Sequence, residues 1–242
     1  MASIRLDKLL SNAGFGSRRD MKRLLKDGVV TINGEPCGKP ETKVDPDVQV
    51  VCIEGVRVAG EKFYYYMMHK PAGVISASYD PNDEETVMDL LDEDTFALDL
   101  FPVGRLDKDT TGLLLLTNDG AYAHKVTSPK RHVPKTYVAG VDGVLTDADI
   151  AAFEKGIALE DGYVCKTATL RILESGAKSI AEVVITEGKY HQVKRMFAAR
   201  GKTVLKLHRT QFGGLLLDEA LEEGEYRPLT EKELALSQLR EE

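Results

Sequence analysis

A charged, turn-prone segment with the sequence GRLDKDTTG, residues 104–112, directly precedes four consecutive leucines. The charged part predicts a surface loop, and the leucines predict a β-strand that is buried on both faces. Asp107 therefore lies close to a dry core, with Arg105 two residues before it, and Asp109 is assigned to the turn itself. A carboxylate fixed at the edge of a water-poor sheet is suited to nucleophilic attack on a positioned substrate. An Asp in a turn can also simply hydrogen-bond the backbone, so both interpretations stay open at this point.

Other kinds of site and segment are not indicated by the sequence. A P-loop requires Gly-Lys-Ser/Thr before a helix, but here a strand is predicted after the glycines. Cys37, Cys52 and Cys165 are widely spaced and form no Cys-x-x-Cys pair, which argues against a zinc site and a disulfide framework. No metal or cofactor is therefore expected. The chain has neither a run of about 18 apolar residues nor a signal-peptide pattern, so we expect a cytoplasmic protein with no membrane partner.

The net charge of −7 conceals a strong segregation of charge along the chain. Residues 80–99 carry nine acidic residues and no Lys or Arg, and residues 218–242 have a net charge of −6. Residues 1–43 and 186–209 are basic instead, with net charges of +4 and +6. Local basic patches can bind phosphates whatever the overall charge, so the composition is compatible with a nucleic-acid partner.

Two short helices and a hairpin are predicted near the N-terminus. Apolar residues between Leu6 and Ala13 share one helical face, and Gly14 is a typical helix stop. Ser17 is a candidate N-cap for a second helix that ends at the Asp-Gly pair of residues 27–28. The strand VVTING at residues 29–34 then enters an Asn-Gly turn.

The second helix carries basic residues that are expected to bind an RNA backbone. These residues are Arg18, Arg19, Lys22, Arg23 and Lys26. A solvated helix surface is the alternative interpretation, but two short helices that lead into a hairpin favour RNA. The segment RLDKLLSNAGFGSRRDMKRLLKDGVVTINGEPC resembles the S4 RNA-binding domain. The resemblance implies a small RNA-binding domain over residues 1–58.

A second, larger domain is predicted over residues 63–235, after a polar, glycine-containing linker at residues 53–62. Short strands alternate with helices there, which indicates an α+β fold with a mixed, mainly antiparallel β-sheet. The predicted strands are 63–69, 113–117, 136–141, 181–186 and 204–207. The predicted helices are 86–91, 147–156 and 190–200, the last of them closed by Gly201.

The segment GRLDKDTTGLLLLTNDG closely resembles the signature of the pseudouridine synthases that modify small-subunit ribosomal RNA (RsuA-like). Further segments resemble other motifs of this family: HKPAGV at 69–74, KTY at 135–137, EGKYHQVKRMFAARG at 187–201, LHRTQFGGLLL at 207–217 and GEYRPLT at 224–230. Together with the S4-like segment, the resemblance spans almost the whole chain. It implies an rRNA pseudouridine synthase, an isomerase that needs no cofactor.

The resemblance also implies roles for individual residues. Asp107 corresponds to the nucleophile, and Tyr137 is expected to stack on the target uracil and to take the C5 proton at the end. A carboxylate in a water-poor site needs a nearby cation, for which Lys194 is the first choice and Arg195 the second. Arg105 is expected to hold the flipped-out nucleotide or its phosphates. Substrate contacts are also expected from Lys70, His191 and Gln192.

An enzyme that acts on a base within folded RNA must first expose that base, so phosphate contacts are expected near the site. The segment 123–135 supplies Lys125, Lys130, Arg131 and Lys135 without any acidic residue. The expected partner is 16S rRNA within an assembling small ribosomal subunit, bound by a monomer. Two alternatives remain open: the same reaction on 23S rRNA, and a catalytically inactive RNA-binding factor for ribosome assembly.

Overall fold

The computed structural model describes residues 3–13, 15, 18–46, 48–58 and 63–239, with the side chains of Arg18 and Arg19 excepted. The predicted helix stop Gly14 and the predicted N-cap Ser17 lie outside these residues. Within the described part, no helix is long and apolar enough to cross a membrane.

The chain forms two compact units. The first consists of Met1–Tyr64 and Leu91–Leu100, and the second of Tyr65–Leu90 and Phe101–Glu242. Residues 91–100 thus group with the first unit, although the sequence analysis assigned them to the second domain. Within the first unit, the Ser11 hydroxyl donates a hydrogen bond to the Asp99 carboxylate at 3.3 Å and connects this segment to the first helix, Leu6–Asn12.

Two helices and two small sheets build the larger part of the first unit. Its elements are β1 (Ile4–Arg5), α1 (Leu6–Asn12), α2 (Arg18–Lys26), β2 (Val30–Ile32), β3 (Glu35–Pro36), β4 (Lys43–Val44), β5 (Val51–Ile53), β6 (Val56–Arg57) and α3 (Glu93–Phe96). β1 pairs with β4, and the second sheet has the order β3-β2-β5-β6. Leu6, Leu10, Met21 and Leu25 are fully buried in its core. The two helices and the hairpin predicted from the sequence are confirmed.

The first residues of the linker predicted at 53–62 belong instead to a β-hairpin. Ile53 and Val56 pair across a turn, so β5 and β6 form a hairpin. Glu54 and Gly55 form that turn, and both have positive φ angles, of 49° and 82°. The glycine that suggested a flexible linker therefore serves a tight turn.

The second unit is built on a mixed sheet of nine strands within residues 65–239. Its elements are β7 (Tyr65–Lys70), β8 (Phe101–Pro102), β9 (Thr111–Thr117), α4 (Gly120–Thr127), a 3-10 helix (Pro129–Arg131), β10 (Lys135–Asp142), α5 (Asp147–Lys155), β11 (Thr169–Glu174), β12 (Lys178–Ile185), α6 (Gln192–Ala198), β13 (Thr203–Phe212), β14 (Leu215–Leu216), β15 (Tyr226–Pro228) and α7 (Glu231–Leu236). The strand order is β11-β12-β10-β13-β9-β7-β15, with β14 beside β13 and β8 beside β9. The predicted α+β class is confirmed.

The four leucines of β9 lie at the centre of this sheet. Residues 113–116 are at most 1% exposed, as expected for a strand covered on both faces. β9 pairs antiparallel with β7 and parallel with β13, where Gly112 lies opposite Arg209. Gly112 has a φ of +105°, and a Cβ atom there would overlap the Arg209 backbone. This glycine therefore permits the contact that joins the two parts of the sheet.

The helix predicted at residues 86–91 does not form in that described segment. Thr86 uses its backbone N–H and its hydroxyl to bind the Asp89 carboxylate, at 2.7 and 2.8 Å. The helix α3 begins after this turn, where Asp92 caps its N-terminus. Thr and Asp side chains compete with helix formation in this way, which explains the wrong prediction. The helices predicted at 147–156 and 190–200 are present as α5 and α6.

Candidate active site

Asp107 lies on the segment between β8 and β9, which we call the Asp107 loop (residues 104–110). A buried serine holds the loop immediately before the carboxylate. The Ser76 hydroxyl accepts a hydrogen bond from the Leu106 N–H at 3.1 Å and donates one to the Leu106 carbonyl at 3.0 Å. The Thr110 N–H donates a hydrogen bond to the Asp107 carbonyl at 3.0 Å and closes the turn.

Lys70 holds the same loop from the other side of Asp107. Its side chain is fully buried, and its ammonium donates to the carbonyls of Pro71, Lys108 and Thr110 at 2.8, 3.3 and 3.0 Å. Burial lowers the pKa of Lys70 to about 8. The prediction that Lys70 binds the substrate is wrong, because an ammonium has three donors and all three are used inside the protein.

Helix α6 brings a cation to the loop. The Nζ atom of Lys194 lies 3.1 Å from Asp107 Oδ2 and 2.5 Å from Asp109 Oδ1, so one ammonium binds both carboxylates. The hydrogen bond from Lys194 lowers the pKa of Asp109. Partial burial alone would lower the pKa of Lys194, but its hydrogen bonds to Asp109 and Asp107 outweigh that effect and raise the pKa. Asp109 therefore does more than shape the turn.

Arg195 points to a different partner. Its Nη2 atom lies 2.6 Å from Asp161 Oδ2. Successive residues of an α-helix are rotated by about 100° around its axis, so Lys194 and Arg195 cannot face the same carboxylate. Lys194 is thus the cation paired with Asp107. The structure does not support the prediction that Arg195 binds the substrate, because its guanidinium is engaged by Asp161.

Asp107 opens into a pocket with one aromatic and several aliphatic walls. Tyr137 of β10, Ile185 of β12 and Leu207 of β13 line this pocket, and Tyr137 is only 8% exposed. Arg105 lines it as well and is otherwise exposed to solvent. The structure thus brings together residues that the sequence analysis took from two separate motifs: Arg105 and Asp107 from one, and Tyr137 from the other.

His191 precedes α6 and also lines the pocket. Its backbone is left-handed, with φ 49° and ψ 32°. Its Nε2 atom lies 3.6 Å from Asp107 Oδ1, which is beyond hydrogen-bond distance but close enough for an ion pair when the ring is protonated. This position is compatible with the predicted substrate contact.

Gln192, the first residue of α6, lines the pocket, but its side-chain amide is bound within the protein. Its amide nitrogen donates to Glu187 at 2.7 Å, and its amide oxygen accepts from the Lys189 N–H at 2.9 Å. Glu187 is buried and also accepts the Tyr163 hydroxyl at 2.7 Å. The predicted substrate contact by the Gln192 amide is therefore not supported. The sequence analysis named no role for Glu187, although it begins the motif at 187–201, and it did not single out Tyr163, which lies outside the quoted motifs.

The predicted phosphate-binding residues divide into exposed and buried ones. Exposed side chains are those of Lys22, Arg23, Lys26, Lys125, Lys130 and Arg131, while the side chains of Arg18 and Arg19 are outside the described residues. Lys135 is buried instead, and its ammonium donates to the Val133 carbonyl at 2.8 Å. Burial lowers the pKa of Lys135 to about 8. Its expected contact with phosphate is wrong.

The site supplies one carboxylate held by a cation, an aromatic side chain from Tyr137 and several aliphatic walls. These groups suit nucleophilic attack on a substrate that is fixed in the pocket. Within residues 3–13, 15, 18–46, 48–58 and 63–239, no group of three or more His, Cys, Asp or Glu side chains is arranged to hold a metal ion.

Comparison with known proteins gives two family matches. Residues 64–199 match the family described as RNA pseudouridylate synthase, and residues 4–50 match the S4 domain. The chain is 47% identical to an uncharacterized RNA pseudouridine synthase of Bacillus subtilis, over 96% of this chain and 98% of the relative.

Two further relatives carry more specific names. The chain is 40% identical to ribosomal small subunit pseudouridine synthase A of Salmonella typhimurium, over 96% of this chain and 99% of the relative. It is 39% identical to ribosomal large subunit pseudouridine synthase B of B. subtilis, over 95% and 93%. A crystal structure of a pseudouridylate synthase matches with a TM-score of 0.69 and 38% identity, over 97% of this chain and 100% of that one.

Proposed function

The chain belongs to the RNA pseudouridine synthase family, and from this we infer that it isomerises one specific uridine of 16S rRNA to pseudouridine. In this reaction the C1′–N1 bond breaks, the uracil rotates and a C5–C1′ bond forms. The proton leaves C5 and N1 gains one, so the product is an isomer of uridine and no electron is transferred to another molecule. The observation that carries the proposal is the Asp107 carboxylate, bound by Lys194 and facing a pocket lined by Tyr137.

We propose Asp107 as the nucleophile of this reaction. Its loop is held on both sides by buried hydrogen bonds, so the carboxylate needs little reorganisation before attack. Lys194 places a positive charge 3.1 Å from the Asp107 carboxylate and so holds it in position. Tyr137 is suited to stack on the uracil and to accept the C5 proton, and the exposed Arg105 to bind a phosphate of the flipped-out nucleotide.

The ribosomal substrate is proposed from the relatives. Two of them are named for ribosomal subunits, and an S4 domain precedes the catalytic unit. The segment YHQVKRMFAA favours the small-subunit group, because enzymes of the large-subunit group more often carry Asn-Arg before the Gln. We therefore propose 16S rRNA in an assembling small subunit as the partner, bound by a monomer.

The same reaction on 23S rRNA is the second candidate. The relative named for the large subunit is 39% identical to this chain, nearly as similar as the one named for the small subunit at 40%. An inactive assembly factor is a weaker alternative, because Arg105, Asp107, Tyr137 and Lys194 are all present and assembled.

Tritium release from rRNA tests the reaction and the substrate together. Transcripts of 16S and 23S rRNA, labelled at uridine C5, are incubated with the wild type, with Asp107→Asn and with the surface control Asp142→Asn. We expect release from 16S RNA by the wild type and the control, and none by Asp107→Asn. Chemical mapping of pseudouridine then locates the modified uridine.

The other outcomes are equally informative. Release of tritium from 23S RNA alone would support the proposed reaction and show that 23S rRNA, not 16S rRNA, is the substrate. Release of tritium by the Asp107→Asn variant would show that Asp107 is not the nucleophile. If neither RNA releases tritium, even as partly assembled ribosomal particles, the chain is an RNA-binding protein without this activity.

A further inference from the structure

Tyr190 presents a large aromatic ring to solvent beside the catalytic pocket. The residue is 72% exposed, although it immediately precedes His191, which lines the pocket. The two rings are stacked, with centroids 3.8 Å apart and an interplanar angle of 19°. Because His191 covers one face of the tyrosine ring and most of the residue is nevertheless exposed, the opposite face is open.

The stack is held in a defined place relative to the reacting carboxylate. His191 has a left-handed backbone, with φ 49°, an uncommon conformation for a residue other than glycine. Its Nε2 atom lies 3.6 Å from Asp107. Arg195 fixes the backbone from the other side by donating to the Tyr190 carbonyl at 3.4 Å. His191 therefore lies between the ring of Tyr190 and Asp107, and the open face of Tyr190 points away from the imidazole.

Two exposed cations accompany the stack, one next to Tyr190 in the chain and one on the pocket that His191 lines. Lys189 is exposed, and its ammonium lies 4.6 Å above the ring of Tyr163. Arg105 is exposed on the pocket. Exposed aromatic rings between cations are typical of sites that stack single-stranded nucleic acid bases and bind the adjoining phosphates. Protein interfaces are instead depleted of lysine at their centre, so RNA is the favoured partner.

We propose that Tyr190, supported by His191, stacks on the nucleobase that adjoins the flipped-out uridine. A uridine that leaves its helical stack exposes the face of its neighbour, and an aromatic ring can replace the lost stacking partner. Tyr190 thereby places the RNA strand in register with Asp107 and contributes to the choice of site. The inference rests on the proposed reaction, since it requires a uridine in the pocket.

Kinetics on the transcript that the wild type modifies provide the first test. Tyr190→Leu keeps an apolar side chain at an exposed position and removes the aromatic face. We expect its KM for RNA to rise roughly 10-fold, with kcat within about 3-fold of the wild type, because base–aromatic stacking contributes mainly to binding. Tyr190→Phe retains the ring and should restore the wild-type KM.

The chain contains no tryptophan, so Tyr190→Trp introduces a single tryptophan, whose fluorescence can be excited apart from that of the tyrosines. We expect quenching when a synthetic RNA fragment that spans the mapped uridine binds, and loss of that quenching when one flanking nucleotide is abasic. Val144→Trp is the matched control, because Val144 is 56% exposed and follows the end of β10 remote from Tyr137.

The outcomes separate this inference from the proposed reaction. Activity of the wild type with an unchanged KM in Tyr190→Leu would overturn the stacking role and leave the reaction intact. A fall in kcat at constant KM would assign Tyr190 to the chemistry instead. Quenching that persists when the flanking nucleotide is abasic would show that Tyr190 does not stack on that base and would overturn the inference. Absence of wild-type activity on any rRNA would count against the proposed reaction itself.

Discussion

Lys194 and Asp107 form an ion pair, with 3.1 Å between Nζ and Oδ2, that joins helix α6 to the Asp107 loop. The ammonium also binds Asp109 at 2.5 Å, so it neutralises two carboxylates that would otherwise repel each other. Arg195, its neighbour in sequence, is paired with Asp161. The two adjacent cations therefore have separable roles.

Replacing Lys194 should lower the rate of the chemical step. In Lys194→Gln two carboxylates share a site without a cation, and we expect a loss of about 10²-fold in the single-turnover rate at saturating RNA. Arg195→Gln removes a partly exposed ion pair and should cost less than about 5-fold. Tritium release under single-turnover conditions measures both. Equal losses of rate in the two variants would show that Lys194 acts through its charge alone and not through its contact with Asp107.

Lys70 should make stability depend on pH. Its pKa is lowered to about 8, against about 10.4 for a lysine in the unfolded chain. Between these two pH values the unfolded chain binds a proton that the folded chain does not, so the free energy of unfolding rises with pH. The free energy of unfolding of the wild type, measured relative to that of Lys70→Met, should therefore increase by up to ~3 kcal/mol between these two pH values. Urea unfolding of both proteins at about pH 7 and about pH 10 measures the difference.

A surface lysine provides the control for that experiment. Lys155 is exposed at the end of α5. The difference in the free energy of unfolding between Lys155→Met and the wild type should therefore be the same at both pH values. If Lys70→Met also shows a constant difference, the ammonium of Lys70 is not desolvated in the folded protein.

The elements that sequence patterns predicted well are those with strong local signals. The leucines of residues 113–116 predict a strand covered on both faces, and residues 147–156 predict a helix that ends at Gly156. The motif residues Arg105, Asp107 and Tyr137 could be expected in one site because of the family resemblance. Their proximity was not derivable from spacing alone, since β9 and β10 are separated in the sheet by β13.

The roles of Lys70 and Gln192 depend on contacts that local sequence does not encode. Both residues occur in motifs, which suggested contact with the substrate, yet both bind the protein itself. Lys70 binds backbone carbonyls that lie about 40 residues away in sequence, and Gln192 binds the buried Glu187. Residues that position a site occur in motifs for the same reason as those that react, so the type of residue cannot separate the two groups.

Gly112→Ala should destabilise the second unit strongly. Gly112 has a φ of +105°, and an added Cβ would lie 2.7 Å from the Arg209 nitrogen and in contact with its carbonyl, where only backbone can yield. This contact is part of the parallel pairing of β9 with β13. We expect a loss of about 3 kcal/mol or more in the free energy of unfolding, measured by urea unfolding.

Gly140→Ala is the matched control in the same sheet. A Cβ atom at residue 140 meets its nearest neighbour, Lys206 Cβ, at an ordinary contact distance of 3.7 Å. The loss in the free energy of unfolding should stay below about 1 kcal/mol. Alanine lowers the conformational entropy of the unfolded chain, which offsets part of any loss in the folded state. Similar losses in the two variants would mean that the sheet is sensitive to any side chain and not to the close approach at Gly112.

The 3-10 helix that precedes β10 should contribute phosphate contacts. Lys130 and Arg131 are exposed, and Lys166 fixes this helix by donating to the Pro129 carbonyl at 3.3 Å. Each phosphate contact to single-stranded RNA adds about 0.7 to the slope of log K against log salt concentration. The double variant Lys130→Gln/Arg131→Gln should therefore lower that slope by ~1.4 and weaken binding at low salt. Titration of labelled rRNA at several salt concentrations measures the slope.

Two lysines remote from the pocket separate a local contact from a general charge effect. Lys155 and Lys178 are exposed, and Lys178 pairs with Asp142 at the end of β10 opposite to Tyr137. Lys155→Gln/Lys178→Gln removes the same charge as the double variant at the 3-10 helix. We expect its salt slope to equal that of the wild type, because charges beyond about 10 Å from the RNA are screened. A slope lowered equally by both double variants would mean that the 3-10 helix attracts RNA only through net charge and makes no phosphate contact of its own.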